Sequence, residues 1–324
     1  MKFSRRHVLH FAGAALASSA VPRLAKAQAY PTRPVRLLVG NAAGGGPDIS
    51  ARLIAQWLTE RLGQPFVVEN RPGAGGNLAT EAVVNAPADG YTLLLVMLSN
   101  AVNVSLYSKL PFDFVRDIAP VASINRDALF MLVPPSFPAK TVPDFIAHAK
   151  ANPGKLSFAS PGPGTAPHIA GEMFKMMAGI DMVHVPYRGG GQALTDLVAG
   201  QVHVYFGGLP VSIEHIKAGR LRALAMTGST RSDAMPDVPT MRDFLPGYEA
   251  SNWFGIGAPR GTPAEIITAL NKETNAVLAD PELKSRFATL GSTPFVGSTE
   301  EFRRHIADEI EKWAKVVKFA DIKA

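Results

Sequence analysis

The sequence predicts an α/β protein of two lobes, each a parallel sheet covered by helices, with a ligand cleft between them. Short apolar runs with strand character alternate with helical patterns, and this βαβ alternation occurs twice along the chain. Once the predicted leader is removed, residues 30–324 remain. This is about the length at which a single hydrophobic core stops growing, so two lobes are expected. A long extended stretch and three terminal helices follow the second set, which indicates that the second lobe is inserted into the first.

Residues 1–29 are predicted to be a cleaved signal peptide for export to the periplasm. Positive residues up to Arg6 precede an apolar stretch over 8–21 that is too short to span a bilayer, and Ala27-Gln28-Ala29 provides a cleavage site. The run 4–9 leans toward a twin-arginine signal but departs from it at Val8. Export by Sec and export by Tat therefore both remain open.

The mature chain is expected to be nearly neutral and free of disulfides. The whole chain has a net charge of +6 and no cysteine. Five of the positive charges belong to the leader, which leaves +1 for the mature chain: Lys2, Arg5, Arg6, Arg23 and Lys26. A near-neutral body has no broad field to attract nucleic acid, so no nucleic-acid partner is expected. Without cysteine, the core alone must hold the fold, and no lipid anchor on a thiol is possible.

The first lobe is predicted to begin with three strands and two glycine-rich turns. The first turn contains Gly44-Gly45-Gly46 and precedes a helix that ends at Gly63. The second turn spans 71–77 and precedes a short helix. The strands are expected at 35–39, 66–69 and 91–98, and the long helix at 49–62.

The second lobe is predicted to repeat this pattern from about residue 130. Strands are expected at 129–133, 156–159, 182–185, 202–206 and 221–226, with helices at 142–151, 167–178, 192–199 and 210–218. An extended stretch at 248–258 follows, and helices at 263–278, 281–290 and 299–319 end the chain. We therefore place the first lobe at 30–122 and 254–324 and the inserted lobe at 123–253. The two crossings are expected near 121–128 and 248–255.

The glycine-rich turns between strands and helices are the candidate ligand site. In open α/β sheets, ligands bind at the carboxyl ends of the strands, and a helix N-terminus there favours an anion. Each turn alone is more typical of a tight connection, and it is the presence of such turns in both lobes that favours a ligand site. Asp48 is expected to cap its helix rather than meet an anion, and Arg188 either pairs with a carboxylate or is solvated. The candidate segments are Gly44-Gly45-Gly46, the stretch from Ser160 to Thr165, Tyr187-Arg188, and Gly207-Gly208.

The histidines offer few candidates, and no catalytic signature is present. His168 lies in the first turn of a helix beside the Gly164-Thr165 loop, where it either lines the site or packs. His184 and His203 alternate with valines, which favours packing over a metal pair. The sequence lacks a nucleophile elbow, a zinc-protease motif and a phosphate-binding loop. No catalytic residue, metal or cofactor is therefore expected.

The mature chain resembles the Bug family of periplasmic solute receptors, which serve tripartite tricarboxylate transporters. The similarity covers nearly the whole mature chain. It rests on Tyr30-Pro31, Gly44-Gly45-Gly46 with Asp48, the stretch from Val68 to Asn77, Asp89-Gly90-Tyr91, Ala151-Asn152-Pro153-Gly154, Gly164-Thr165 with His168, the stretch from His184 to Gly189, Ile216-Lys217-Ala218-Gly219, the stretch from Pro236 to Thr240, and Trp253-Phe254-Gly255. The chain departs from the family pattern at Asn41-Ala42-Ala43, at Pro47 and at Gly207-Gly208. These departures leave room for a ligand larger or less charged than a small dicarboxylate.

The resemblance implies a type II periplasmic-binding-protein fold and a monomer that captures a small organic acid for membrane transporter subunits. It also implies which residues line the cleft: Ala43, Gly44, Gly45, Gly46, Asp48, Ser99, Asn100, Ser160, Gly164, Thr165, His168, Tyr187, Arg188 and Gly207. A sensory receptor for the same ligands would have an equivalent sequence. An enzyme on the same fold is a weaker alternative, based only on His168 and Asp48.

Overall fold

The computed structural model describes residues 30–322. The predicted leader, residues 1–29, lies outside the described residues. Within them the strands are β1 Val35–Val39, β2 Phe66–Asn70, β3 Thr92–Met97, β4 Ile118–Val133, β5 Ser157–Ser160, β6 Val183–Pro186, β7 Val204–Gly208, β8 Arg222–Met226, β9 Ser251–Pro259 and β10 Ser292–Pro294. The helices are α1 Gly46–Leu62, α2 Asn77–Val84, α3 Leu98–Leu106, α4 Phe114–Asp117, α5 Val142–Ala151, α6 Ala166–Ala178, α7 Gly190–Val198, α8 Leu209–Lys217, α9 Ala264–Leu278, α10 Pro281–Thr289 and α11 Thr299–Phe319.

Two sets of parallel strands share the long strand β4. In the first set β2, β1 and β3 run parallel, and β9 joins β3 to the first half of β4 by antiparallel pairing. In the second set β6, β5 and β7 run parallel, and β7 pairs antiparallel with the last residues of β4. The strand β4 thus passes from one sheet to the other.

The two halves are covered by helices as the predicted βαβ order requires. Strand β3 reads TLLLVM and is buried at every position, as expected of a strand covered on both faces. The C-terminal helix α11 packs against α3, β4 and α6, so it touches elements of both sheets. Among the described residues no helix is both long and apolar enough to cross a membrane.

Most predicted elements are present, but β4 is much longer than the predicted strand at 129–133. It begins at Ile118 and reaches Val133 through the predicted crossing at 121–128. Its pairing shifts register after Pro120, after Ser123 and after Met131. Polar residues at 125–127 interrupt its apolar run, and bulges break the alternation that would identify a strand.

One of those polar residues, Asp127, is a buried carboxyl that forms no ion pair within residues 30–322. Its Oδ1 accepts hydrogen bonds from Asn125 Nδ2 at 2.6 Å and from Ser292 Oγ at 2.5 Å. Burial raises the pKa of Asp127 to about 6, and the two hydrogen bonds only partly oppose that shift. The ionised carboxylate is therefore a cost to the folded state at neutral pH.

Replacing Asp127 with asparagine is expected to raise the free energy of unfolding at pH 8 by about 1–3 kcal/mol. The pKa of Asp127 in the folded protein is about 6, above the ordinary value of 3.8. Wild-type stability therefore falls as the pH rises from 3.8 to about 6, and Asp127 stays ionised above that pH. The gain of Asp127→Asn should vanish as pH falls toward 4. Urea unfolding between pH 4 and 8 measures it, with exposed Asp237→Asn as control. An equal effect at pH 4 and pH 8 would contradict the assignment.

Candidate functional site

Every predicted site residue lies at the carboxyl end of a strand. The turn after β1 holds Ala43, Gly44 and Gly45, and the start of α1 holds Gly46 and Asp48; the start of α3 after β3 holds Ser99 and Asn100; Ser160 ends β5, the turn after it holds Gly164 and Thr165, and the start of α6 holds His168; Tyr187 and Arg188 follow β6; and Gly207 is near the end of β7. Because β1 and β3 are parallel neighbours, their turns lie at one sheet edge, and the same holds for β5, β6 and β7.

The two edges approach each other at Gly164. A Cβ placed on Gly164 would lie 2.8 Å from Leu106 Cδ2 and 3.1 Å from Asn103 Oδ1, both on α3 of the other sheet. Gly164 also has a φ of +73°, which favours glycine. Its missing side chain therefore allows the turn after β5 to contact the helix after β3.

The Asp48 side chain fixes the conformation of the turn after β1. The Asp48 carboxylate accepts from the backbone N–H of Gly44 at 2.9 Å and from Arg52 Nε at 3.0 Å. Burial alone would raise the pKa of Asp48, but the bonds from Arg52 and Gly44 outweigh it and lower that pKa. The charge of Asp48 is therefore balanced by Arg52, and its carboxylate fixes the turn.

The N-terminus of α1 is not capped by a side chain. Gly45 is the N-cap residue, has extended backbone angles, and makes no side-chain cap. A Cβ on Gly45 would meet only ordinary contacts, and one on Gly46 would meet nothing within 4 Å. Because no side chain caps them, the first amide groups of α1 are available to bind an anion.

Helices at the two edges lack side-chain caps, whereas most helices elsewhere have them. The helices α1, α6, α7 and α8 begin after Gly45, Thr165, Gly189 and Gly208 and have no side-chain cap. By contrast Asp113, Thr141, Asp280 and Ser298 cap α4, α5, α10 and α11. Of the remaining helices in the described chain, α2, α3 and α9 also lack a side-chain cap, and α2 and α3 follow β2 and β3 at the first edge. The open amide groups are thus concentrated at the candidate site.

Thr165 shows that this lack of capping is not only a matter of residue type. Threonine is a good N-cap residue, but the Thr165 hydroxyl donates to the carbonyl of Gly162 at 2.7 Å. The side chain is thereby used inside the turn. Proline at the second helical position of α1, α6 and α8 removes one donor from each, and the neighbouring amides remain.

Several predicted side chains bind protein rather than face open space. Asn100 Oδ1 accepts from the Met97 N–H at 2.8 Å and its Nδ2 donates to Thr80 at 2.9 Å. The Tyr187 hydroxyl donates to Asp196 at 2.7 Å, and burial together with that carboxylate raises the pKa of Tyr187 to about 12. Arg188 is exposed.

Gly207 has a packing role in addition to its place at the sheet edge. A Cβ on Gly207 would lie 2.7 Å from the ring of Tyr205, which is buried beneath the edge. This contact explains why glycine stands there without requiring a ligand.

Sequence reasoning missed two residues that shape the site. Asn103 Nδ2 donates to the Gly75 carbonyl at 3.0 Å and to Asn77 Oδ1 at 2.9 Å, so it ties α3 to the turn after β2. His184 Nε2 lies 2.6 Å from Ser160 Oγ. Neither position carries a local motif for this role, because each contact depends on a distant partner.

No metal site is indicated in the described part of the chain. His184 contacts Ser160 while His203 contacts Ser157, and no group of three or more potential metal ligands occurs within residues 30–322. A cavity of about 350 Å³ lined by Ile216, Leu221, Met235 and Val238 contains none of the predicted site residues.

The fold and the paired strand-end turns define a solute-binding protein of the periplasmic-binding type. Residues 50–322 match the family described as "Tripartite tricarboxylate transporter family receptor". The chain belongs to this family of solute-binding receptors.

The chain is also similar to a curated protein and to two solved structures with bound carboxylates. BugT of Bordetella pertussis is 38% identical over 94% of this chain and 95% of its own. An R. palustris protein solved with adipate is 38% identical with a TM-score of 0.86, covering 91% of this chain and 99% of its own. MatC from Rhodopseudomonas palustris, solved with bound malate, is 32% identical with a TM-score of 0.81, covering 89% of this chain and 100% of its own.

Proposed function

We propose that this chain is a periplasmic, monomeric receptor that captures a small organic carboxylate and presents it to the membrane subunits of a tripartite transporter. The observation that carries this proposal is the group of uncapped helix N-termini at the two strand-end edges. The relatives bound to adipate and malate support the same ligand class. The ligand is released unchanged, because the role of such a receptor is binding.

Backbone amides, rather than charged side chains, neutralise the carboxylate. Of the basic side chains near the turns, Arg52 is paired with Asp48, and Arg188 is exposed at the rim. Amide groups at a helix N-terminus bind an anion without a paired cation. This arrangement suits carboxylates of different lengths, because no cationic side chain inside the proposed cleft fixes where the carboxylate group must lie.

Lobe closure encloses the carboxylate. The lobes are residues 30–122 with 254–324 and residues 123–253, and the mature chain begins after residue 29. The crossing strands β4 and β9 are paired with each other over Ile118–Ala128, so they form a two-stranded hinge. A carboxylate that contacts amides of both lobes binds the closed state better and shifts the population toward it.

Replacing Gly45 with aspartate tests the anion position directly. An aspartate N-cap places its own carboxylate on the first amides of α1, so Gly45→Asp should stabilise the ligand-free protein while weakening carboxylate binding at least about tenfold. Gly45→Ala adds a methyl group without a cap and is the matched control. Calorimetry with adipate and malate, together with thermal unfolding, measures both quantities.

Native mass spectrometry of the wild type then identifies the carboxylate that copurifies. Loss of both stability and binding in Gly45→Asp would indicate damage to the turn instead of competition. Unchanged binding in Gly45→Asp, or no binding of any carboxylate across a broad panel by the wild type, would overturn the proposed function.

A further inference from the structure

We propose that His184, together with His168, is a positioning residue for the ligand turn after β5. In this arrangement the two stacked imidazoles hold the turn 160–165 in the shape that leaves the first amides of α6 open. The inference rests on the proposed function, because it assigns residues that prepare that same site. Sequence patterns place His184 in a strand as a packing residue, so this role arises from the three-dimensional contacts.

Two hydrogen bonds attach the imidazoles to opposite ends of the turn. His184 Nε2 lies 2.6 Å from the hydroxyl of Ser160, at the end of β5. His168 Nδ1 accepts the backbone N–H of Gly164 at 3.1 Å. The His168 ring therefore carries its proton on Nε2, which lies 3.8 Å from Glu172 Oε1.

Ser160 transmits the contact of His184 into the turn. Its hydroxyl accepts the N–H of Gly162 at 3.0 Å and lies 3.1 Å from the carbonyl of the same residue. That carbonyl also accepts the Thr165 hydroxyl. The bond from His184 therefore holds Ser160 against Gly162. The Gly162 carbonyl in turn accepts the Thr165 hydroxyl, so the Thr165 side chain does not cap α6.

Stacking couples the two histidines into one unit. Their ring centroids are 3.8 Å apart with an interplanar angle of 20°, and Phe158 stacks on His184 at 4.9 Å. Burial, and then the neighbouring His184 and Lys175, lower the pKa of His168 to about 3. Burial and Lys175 lower the pKa of His184 to about 4. Both rings are uncharged at neutral pH, which permits the close stack.

The geometry favours positioning over chemistry at Ser160. A serine hydroxyl near an imidazole resembles an activated nucleophile. However, Ser160 is fully buried, and its oxygen already accepts an amide of its own turn. An incoming substrate would have no access to that oxygen, so the pair acts on the shape of the turn.

The test compares variants that keep the stack with variants that keep the hydrogen bond. His184→Phe retains an aromatic ring but loses the bond to Ser160, and should weaken adipate and malate binding about tenfold. His184→Gln carries an amide at about the reach of Nε2 and should restore most of the affinity. His203→Phe is the matched control, since His203 makes a similar bond to Ser157 at the other end of β5.

Amide hydrogen exchange provides a readout that needs no ligand. In ligand-free His184→Phe the amides of Gly162 and Gly164 should exchange faster than in wild type, while those of α5 stay unchanged. A lower unfolding midpoint with unchanged affinity and unchanged exchange in the turn would show a merely structural role and overturn the inference. If the wild type binds no carboxylate, the proposed function fails, and the exchange measurement still decides whether His184 holds the turn.

Discussion

Replacing Gly164 with alanine is expected to weaken carboxylate binding by about ten- to a hundredfold. The added methyl group would meet Leu106 at 2.8 Å and Asn103 at 3.1 Å, on the far side of the proposed cleft. Those contacts exist only when the turn after β5 reaches α3. Under the lobe closure proposed above, the methyl group therefore acts against the closed state that binds the carboxylate. Calorimetry with adipate and malate measures the loss.

A matched glycine separates this contact from backbone strain. Gly179 also has a left-handed backbone, with φ +61° against +73°, but a Cβ there meets nothing within 4 Å. Gly179→Ala should lower stability by about 1 kcal/mol and leave affinity unchanged. Adding Leu106→Ala to Gly164→Ala should restore part of the binding by making room. Equal affinities for Gly164→Ala and wild type would show that the lobes need not meet at this point.

The strand and helix order could be read from the sequence because local patterns determine it. Helices α5 and α11 begin and end at the predicted residues, since capping residues and apolar periodicity are both short-range signals. The full extent of β4 could not be read, because its pairing with β9 depends on residues more than 100 positions away. The three-residue strand β10 is too short to show any period.

The candidate site was predictable where glycine marks a turn and unpredictable where a side chain supports one. Gly45 and Gly164 stand in local motifs between a strand and a helix, so their positions follow from chain order. The role of His184 depends on the register that sets Phe158 opposite His184 and Ser160 opposite Pro186. A shift of one residue would turn His184 to the other face of the sheet, and no single-strand pattern specifies that register.

Replacing Glu309 with leucine is expected to lower the free energy of unfolding by about 3 kcal/mol or more. Glu309 Oε2 accepts the indole N–H of Trp253 at 2.9 Å and that of Trp313 at 2.7 Å. Trp253 belongs to the crossing strand β9 and Trp313 to α11, and both are almost fully buried. Leucine would leave two buried donors without an acceptor, each at a cost of about 1–3 kcal/mol. Urea unfolding followed by tryptophan fluorescence measures the change.

The position of the lost carboxylate, rather than its charge, should decide the effect. Glu311 on the same helix is exposed and pairs with Lys315 at 3.1 Å, so Glu311→Leu should cost less than about 1 kcal/mol. Glu309→Gln keeps an acceptor oxygen and should recover roughly half of the loss. Equal costs for Glu309→Leu and Glu311→Leu would mean that the indole bonds do not hold α11 to β9. Since α11 touches both sheets, Glu309→Leu should also loosen β9, the strand proposed above as part of the hinge.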